Sequence, residues 1–239
     1  MGTVGGALAQ PSFLPQPTDA LSASEGKTYL DLLRLVMPAI AVNGTTYSGG
    51  QPIGVRHLGG LGHGTVEPAP TGQLKLIAVP LRSGGMERMA LLIDFENAEP
   101  GISLALLALF DIVDEPRLLD TVDIALDRWT SFLDPVRLSV STSDDLLVTQ
   151  STHSNSSQHY AIVALILVRD DRFELVDMIA LLSDRDCSFE RSQSLVVEQG
   201  GKEPVADIVA IVTERMTLAA KDCDDRAGPE PGSRTIAVT

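Results

Sequence analysis

From residue 73 onward, short apolar runs alternate with polar clusters, "RSGGMER", "ENAEPG", "VDEP", "STSDD", "RDDR" and "QGGKEP". Runs of this length, bounded by turn-forming residues, fit strands better than helices, which need longer segments with a 3.6-residue apolar period. The spacing predicts an antiparallel meander of about ten strands, near 74–81, 89–95, 103–112, 118–126, 136–141, 146–151, 159–168, 173–182, 193–199 and 205–214. Two of them, "LALLALF" and "AIVALILV", are apolar at both parities and need cover on both faces. The fold class is therefore mostly β: a sandwich or one long curled sheet, with one short N-terminal helix. Propeller-like four-stranded units are an alternative, although two blades do not close a ring.

The meander carries an internal repeat, over about 89–132 and 145–189. An offset of 56 carries Leu91 to Leu147, Ala105 to Ala161, Ala108 to Ala164, Leu109 to Leu165 and Asp114 to Asp170. One extra residue enters near "RDDR", and an offset of 57 then carries Leu118 to Leu175, Asp120 to Asp177, Asp127 to Asp184 and Arg128 to Arg185. The insertion falls in a turn, where added length is tolerated. A helical competitor exists, since Leu118, Val122, Ala125, Trp129 and Phe132 also lie at helical spacing. The hairpin reading is preferred because the second copy, "RDDRFELVDMI", is a tight turn feeding directly into a strand.

Before the meander, "TYLDLLRLVMP" predicts the helix. Tyr29, Leu32, Leu33 and Val36 share one face, Thr28 caps with Asp31 three places on, and Pro38 discourages continuation. Residues 1–27 read as a flexible lead-in, 42–72 as loops with short extended pieces, 28–218 as one domain and 219–239 as a loose tail. Ala7-Leu8-Ala9 before Gln10 has the small-residue spacing of a secretory cleavage site, without the basic and long apolar regions of a full signal. Two readings stay open there, a signal-peptide remnant and flexible padding.

Aromatic residues make up 4% of the chain, so the core has to come from Leu, Ile, Val and Ala. A net charge of −14 and the lack of a Lys/Arg cluster argue against nucleic acid and anionic lipid as partners. The longest apolar runs are about half the roughly 20 residues of a spanning helix, so no membrane span is expected. Cys187 and Cys223 are the only thiols. In an oxidising compartment they are disulfide candidates, a bond contributing roughly 3 to 4 kcal/mol by chain entropy; two free thiols are the alternative.

The chemically richest stretch is "THSNSSQHY", residues 152–160. Its Asn and Ser side chains suit a turn, because they hydrogen-bond nearby backbone groups. His153, Asn155 and His159 are its binding candidates, with His57 and His63 of "RHLGGLGHG" as further ones. A histidine spacing of six matches no common zinc signature. No G-x-S-x-G elbow, EF-hand loop or phosphate loop is present. Recurring Asp-Arg steps at Asp127-Arg128 and Asp184-Arg185 read as structural ion pairs or turn caps. "NGT" and "NSS" are chance matches to the glycosylation pattern. The expectation is a soluble, exported protein, periplasmic or secreted, with the cytoplasm as the alternative. It is read as a non-catalytic binding or envelope protein without metal or cofactor, its partner unknown. The rival is a hydrolase whose site joins loops 56–64 and 152–160.

Overall fold

The structure is a computed structural model that describes residues 12–58, 68–96, 104–126, 128–186, 189–200, 206–218 and 231–238. The helix α1, Tyr29–Val36, starts as its sequence predicts. The Asp31 carboxylate accepts from the Thr28 N–H at 2.8 Å and from its hydroxyl at 2.9 Å. Those two bonds, the backbone one first, hold Asp31 below the usual carboxylate range. Tyr29, Leu32, Leu33 and Val36 are buried.

Sheet one has the order β1 (Ala41–Asn43), β2 (Thr46–Ser48), β4 (Thr71–Ser83), β5 (Met86–Glu96), β6 (Leu104–Asp111), β7 (Arg117–Asp123) and β3 (Arg56–His57). Sheet two runs in chain order: β8 (Trp129–Ser139), β9 (Asp145–Ser154), β10 (Gln158–Arg169), β11 (Arg172–Arg185), β12 (Phe189–Gly200), β13 (Asp207–Leu218) and β14 (Gly232–Val238). Among the described residues only β3, beside β7, pairs in parallel. The ten expected strands correspond to β4 through β13, and neither sheet closes into a barrel. Two seven-stranded sheets replace the propeller-like alternative.

Each apolar parity finds its own cover. One face of sheet one, with Leu91, Ile93, Leu106 and Phe110, packs on α1. Its other face, with Val79, Leu92, Leu107 and Val122, packs on Leu147, Ile166, Val168 and Phe173 of sheet two. All eight residues of β6 are buried, as its double apolar parity requires. Sheet two curls about a third core, in which Val148, Val163 and Leu165 meet Val197 of β12 and Leu138 of β8. Burial of this aliphatic surface, at roughly 25 cal/mol per Å², is the main term favouring the fold.

Polar groups stitch the two sheets together. Asp120 of β7 accepts from Arg56 Nε and Nη2 at 2.9 and 2.5 Å, and from the backbone N–H of Phe173 on β11 at 2.9 Å. Asp145 is fully buried; it accepts from the Arg82 N–H and the Ser139 hydroxyl, both at 2.8 Å. The tight turns at Gly84-Gly85 and Asp170-Asp171 both have positive φ, the geometry that matches strand twist in a two-residue hairpin. Asp171 tolerates it while a bidentate bond from Arg88, at 2.8 and 3.0 Å, and its own N–H to the Ser83 hydroxyl anchor the turn.

Two expectations need correction, the flexible lead-in and the loose tail. Within the lead-in, Phe13 forms a bridge with Ala78 and Leu21 is buried, so 12–27 packs on the domain. The short extended pieces expected over 42–72 are three short strands of sheet one within 41–57. Gly232–Val238, read as loose tail, pairs with β13 as β14, so the domain extends past residue 218. In the two segments that the 56-residue offset matches, the β6–β7 ladder shifts register between Leu109 and Phe110, and the β10–β11 ladder between Leu165 and Ile166. The bulges therefore fall at matched positions. The preceding hairpins differ: Leu91 faces Ala108, whereas Leu147 faces Ile166 rather than Ala164. A two-residue slide of that kind keeps every side chain on its own face.

Candidate functional site

The stretch 152–160 is the end of β9, a turn and the start of β10. Asn155 makes the turn. Its Oδ1 accepts from the N–H groups of Ser157 and Gln158 at 3.0 and 2.8 Å, and its own N–H donates to the Gln158 carbonyl at 2.9 Å. This is the local side-chain bonding for which Asn is favoured in turns.

Beyond the turn the antiparallel ladder brings distant residues level. Ser154 faces His159, and the Ser154 hydroxyl lies 2.6 Å from Nδ1 of the imidazole. His159 in turn faces Ser183 of β11. The next row inward is Trp129, Thr152, Ala161 and Leu181. Because side chains alternate along a strand, Trp129 shares a face of the sheet with Ser154 and His159. Its indole, the only one in the chain, is 52% exposed.

The tip of the β11–β12 hairpin stands alongside. Arg185 donates its N–H to the Ser157 carbonyl at 2.8 Å, locking the two tips together. Between them lies an open cleft of about 260 Å³ with polar walls. Its charges are paired: Arg191 with Asp184 at 2.7 Å, and Arg185 with Glu190 at 3.0 Å. Below it, Gln193 spans β11 to β13. It accepts from the Leu182 N–H at 2.8 Å, donates its own N–H to the Ser183 hydroxyl at 3.0 Å, and bonds Glu214 at 2.7 Å. That amide and Arg234 hold the Glu214 carboxyl below the usual range. A satisfied polar layer of this kind fixes a site's shape, since its members are costly to unpair.

Of the five residues singled out from sequence, Asn155 and His159 line this cleft. His153 pairs with Tyr160 one residue away and so belongs to the opposite face of the sheet. His57 is an exposed residue of β3 in sheet one, beside Asp123 of β7. His63, Cys187, Cys223 and Asp127 lie outside the described residues. Among the described residues no group of three His, Cys, Asp or Glu side chains is placed to hold a metal, and no helix is long and apolar enough to cross a membrane.

Sequence reasoning missed Ser154, Ser183, Ser192, the Asp184–Arg191 pair and Trp129. For Ser154 a signal existed, because a turn centred on 156–157 places 154 opposite 159. The contribution of β11–β12 depends on long-range pairing that no local pattern encodes. Comparisons with protein-family models, with curated proteins and with solved structures found no match.

Proposed function

We propose that this chain is a non-catalytic binding protein whose ligand seats in the cleft between the β9–β10 and β11–β12 tips. The observation that carries this reading is the cleft itself. Polar side chains from two hairpins converge there on a rigid, mutually bonded frame, the arrangement that positions a ligand without reorganisation. The test is a set of backbone-amide NMR titrations of the full chain with small polar ligands. Shifts confined to 154–159, 183–185 and 190–192 support the reading; shifts elsewhere only would remove it.

A hydrolase reading has one observation in its favour, the 2.6 Å approach of the Ser154 hydroxyl to His159. A serine nucleophile needs that base and oxyanion donors as well. Turnover of p-nitrophenyl acetate that disappears in Ser154→Ala would establish it. Export, resting on Ala7-Leu8-Ala9, and a Cys187–Cys223 bond belong to the same proposal; the N-terminal sequence of material recovered from cells and thiol titration test them. We also propose that the meander arose by duplication, supported by the 56-residue offset between its two bulges.

A further inference from the structure

We infer that the cleft takes a neutral, polyhydroxylated ligand, one sugar ring of a saccharide chain, with Trp129 as the flanking aromatic surface. This deepens the binding reading above and rests on it. Three features of the cleft select that chemistry.

The first is charge. Two guanidinium and two carboxylate groups enter the cleft, and each is already held by its opposite at 2.7 or 3.0 Å. A phosphate or carboxylate reaching the remaining guanidinium N–H groups would bring its charge beside Asp184 or Glu190, and an ammonium ion would come beside the arginines. A neutral ligand meets no such repulsion. It can still use the second oxygens of Asp184 and Glu190 as acceptors, through charge-assisted bonds stronger than neutral ones.

The second is the supply of both donors and acceptors. The Ser183 oxygen accepts from the Gln193 N–H, leaving its own O–H to donate. The Ser156 and Ser192 hydroxyls make no hydrogen bond within the described residues. If the Ser154 hydroxyl donates to Nδ1, His159 keeps Nε2–H as a donor. A sugar hydroxyl both donates and accepts, so it matches such a mixed array, whereas a purely acceptor or purely donor ligand leaves half of it unmatched.

The third is the aromatic flank and the size. Trp129 stands level with Thr152, two residues along the ladder from Ser154 and on the same face, half exposed on edge strand β8. An indole face is apolar and electron-rich, and it suits the C–H face of a pyranose as it suits other positively polarised edges. The cavity volume of about 260 Å³ is slightly below the roughly 300 Å³ at which pockets for drug-sized ligands begin. One ring of a longer chain fits there while its neighbours extend into solvent.

Because Trp129 is the only tryptophan and flanks the cleft without lining it, its emission reports a saccharide chain that reaches from the cleft onto β8. The experiment titrates the full chain with maltotetraose, cellotetraose and chitotetraose, with tetragalacturonate as the acidic sugar and inorganic phosphate as the anion. Calorimetry and amide NMR are read in parallel. The expected result is a saturable change in emission with at least one neutral tetrasaccharide, and weaker or no response to the two anions. Ser183→Ala and Ser192→Ala each reduce affinity about fivefold, one hydrogen bond's worth. Asp184→Asn releases Arg191 and shifts preference toward tetragalacturonate, a change that mere loss of folding would not produce. Binding of tetragalacturonate or phosphate at the cleft without neutral sugar would overturn the ligand class and leave the binding site standing. No response of the cleft amides or of Trp129 to any arm up to 10 mM would overturn both.

Discussion

Removing the Asp120 carboxylate tests whether polar stitching or the aliphatic core governs how the two sheets stay together. Asp120 is nearly buried, with its side chain 7% exposed, and takes bonds from Arg56 Nε, Arg56 Nη2 and the Phe173 N–H. In Asp120→Ala the Phe173 N–H, on a residue 1% exposed, loses its acceptor in a dry position, a cost of about 1–3 kcal/mol. Arg56 loses a bidentate partner. Its side chain is 30% exposed and keeps the Phe173 carbonyl at 2.8 Å, so water recovers part of that loss and about 1–2 kcal/mol remains. The total is about 2–5 kcal/mol. With a urea m-value of roughly 3 kcal/mol/M, the midpoint falls by about 1 M at constant m. Asp120→Asn keeps one acceptor oxygen and costs about half as much. A double-mutant cycle with Arg56→Ala gives a coupling of about 1–2 kcal/mol. A loss below about 0.5 kcal/mol in Asp120→Ala, or a cycle that is simply additive, would refute the argument for this cluster.

Other expectations follow from packing and titration. Gly72→Ala places a Cβ 2.9 Å from Cε1 of the buried Tyr47 ring, so overpacking costs about 1–3 kcal/mol, measurable by urea unfolding. Hydrogen bonding from Arg117 holds the Asp111 carboxyl below the usual range, and Asp31 and Glu214 are lowered likewise. A depressed pKa contributes stability that is present above the unfolded value near 4 and lost as pH falls through the folded values, so the urea midpoint declines below about pH 4. Asp111→Asn lowers the midpoint at pH 7 and flattens that decline; an unchanged slope contradicts the assignment. Burial, with Asp19 nearby, pushes Tyr29 up to about 12, so absorbance at 295 nm shows at least one of the three tyrosines ionising near pH 12.

Much of the fold was legible because strand length and turn chemistry are local properties. Every predicted strand from 74 to 214 corresponds to an observed one, and the Thr28–Asp31 cap sets the helix start. The β1–β2 hairpin was missed although Asn43-Gly44 is a strong turn signal, because Gly and Pro around it masked two three-residue strands. β14 was missed for a similar reason: "TIAV" suits a strand, but it follows a Gly/Pro-rich acidic stretch. At the site, the turn residues were readable from Asn155 and its serines. The neighbours that turn a hairpin tip into a cleft were not, since Asp184, Arg191 and Trp129 arrive through register.

Strand adjacency has a consequence for how the chain matures. In sheet two every strand lies beside its immediate predecessor, so each can be laid down as it leaves the ribosome, closing only a local connection at a time. In sheet one β2 pairs with β4, and the longest wait is that of β3 for β7, roughly 65 residues later. Closing that longer span costs about 2.5 kcal/mol more than a four-residue turn. Arg56, carried on β3, is therefore a late arrival, and its docking on Asp120 works as a latch on sheets already assembled. Mutations there should hasten unfolding and leave the refolding rate nearly untouched.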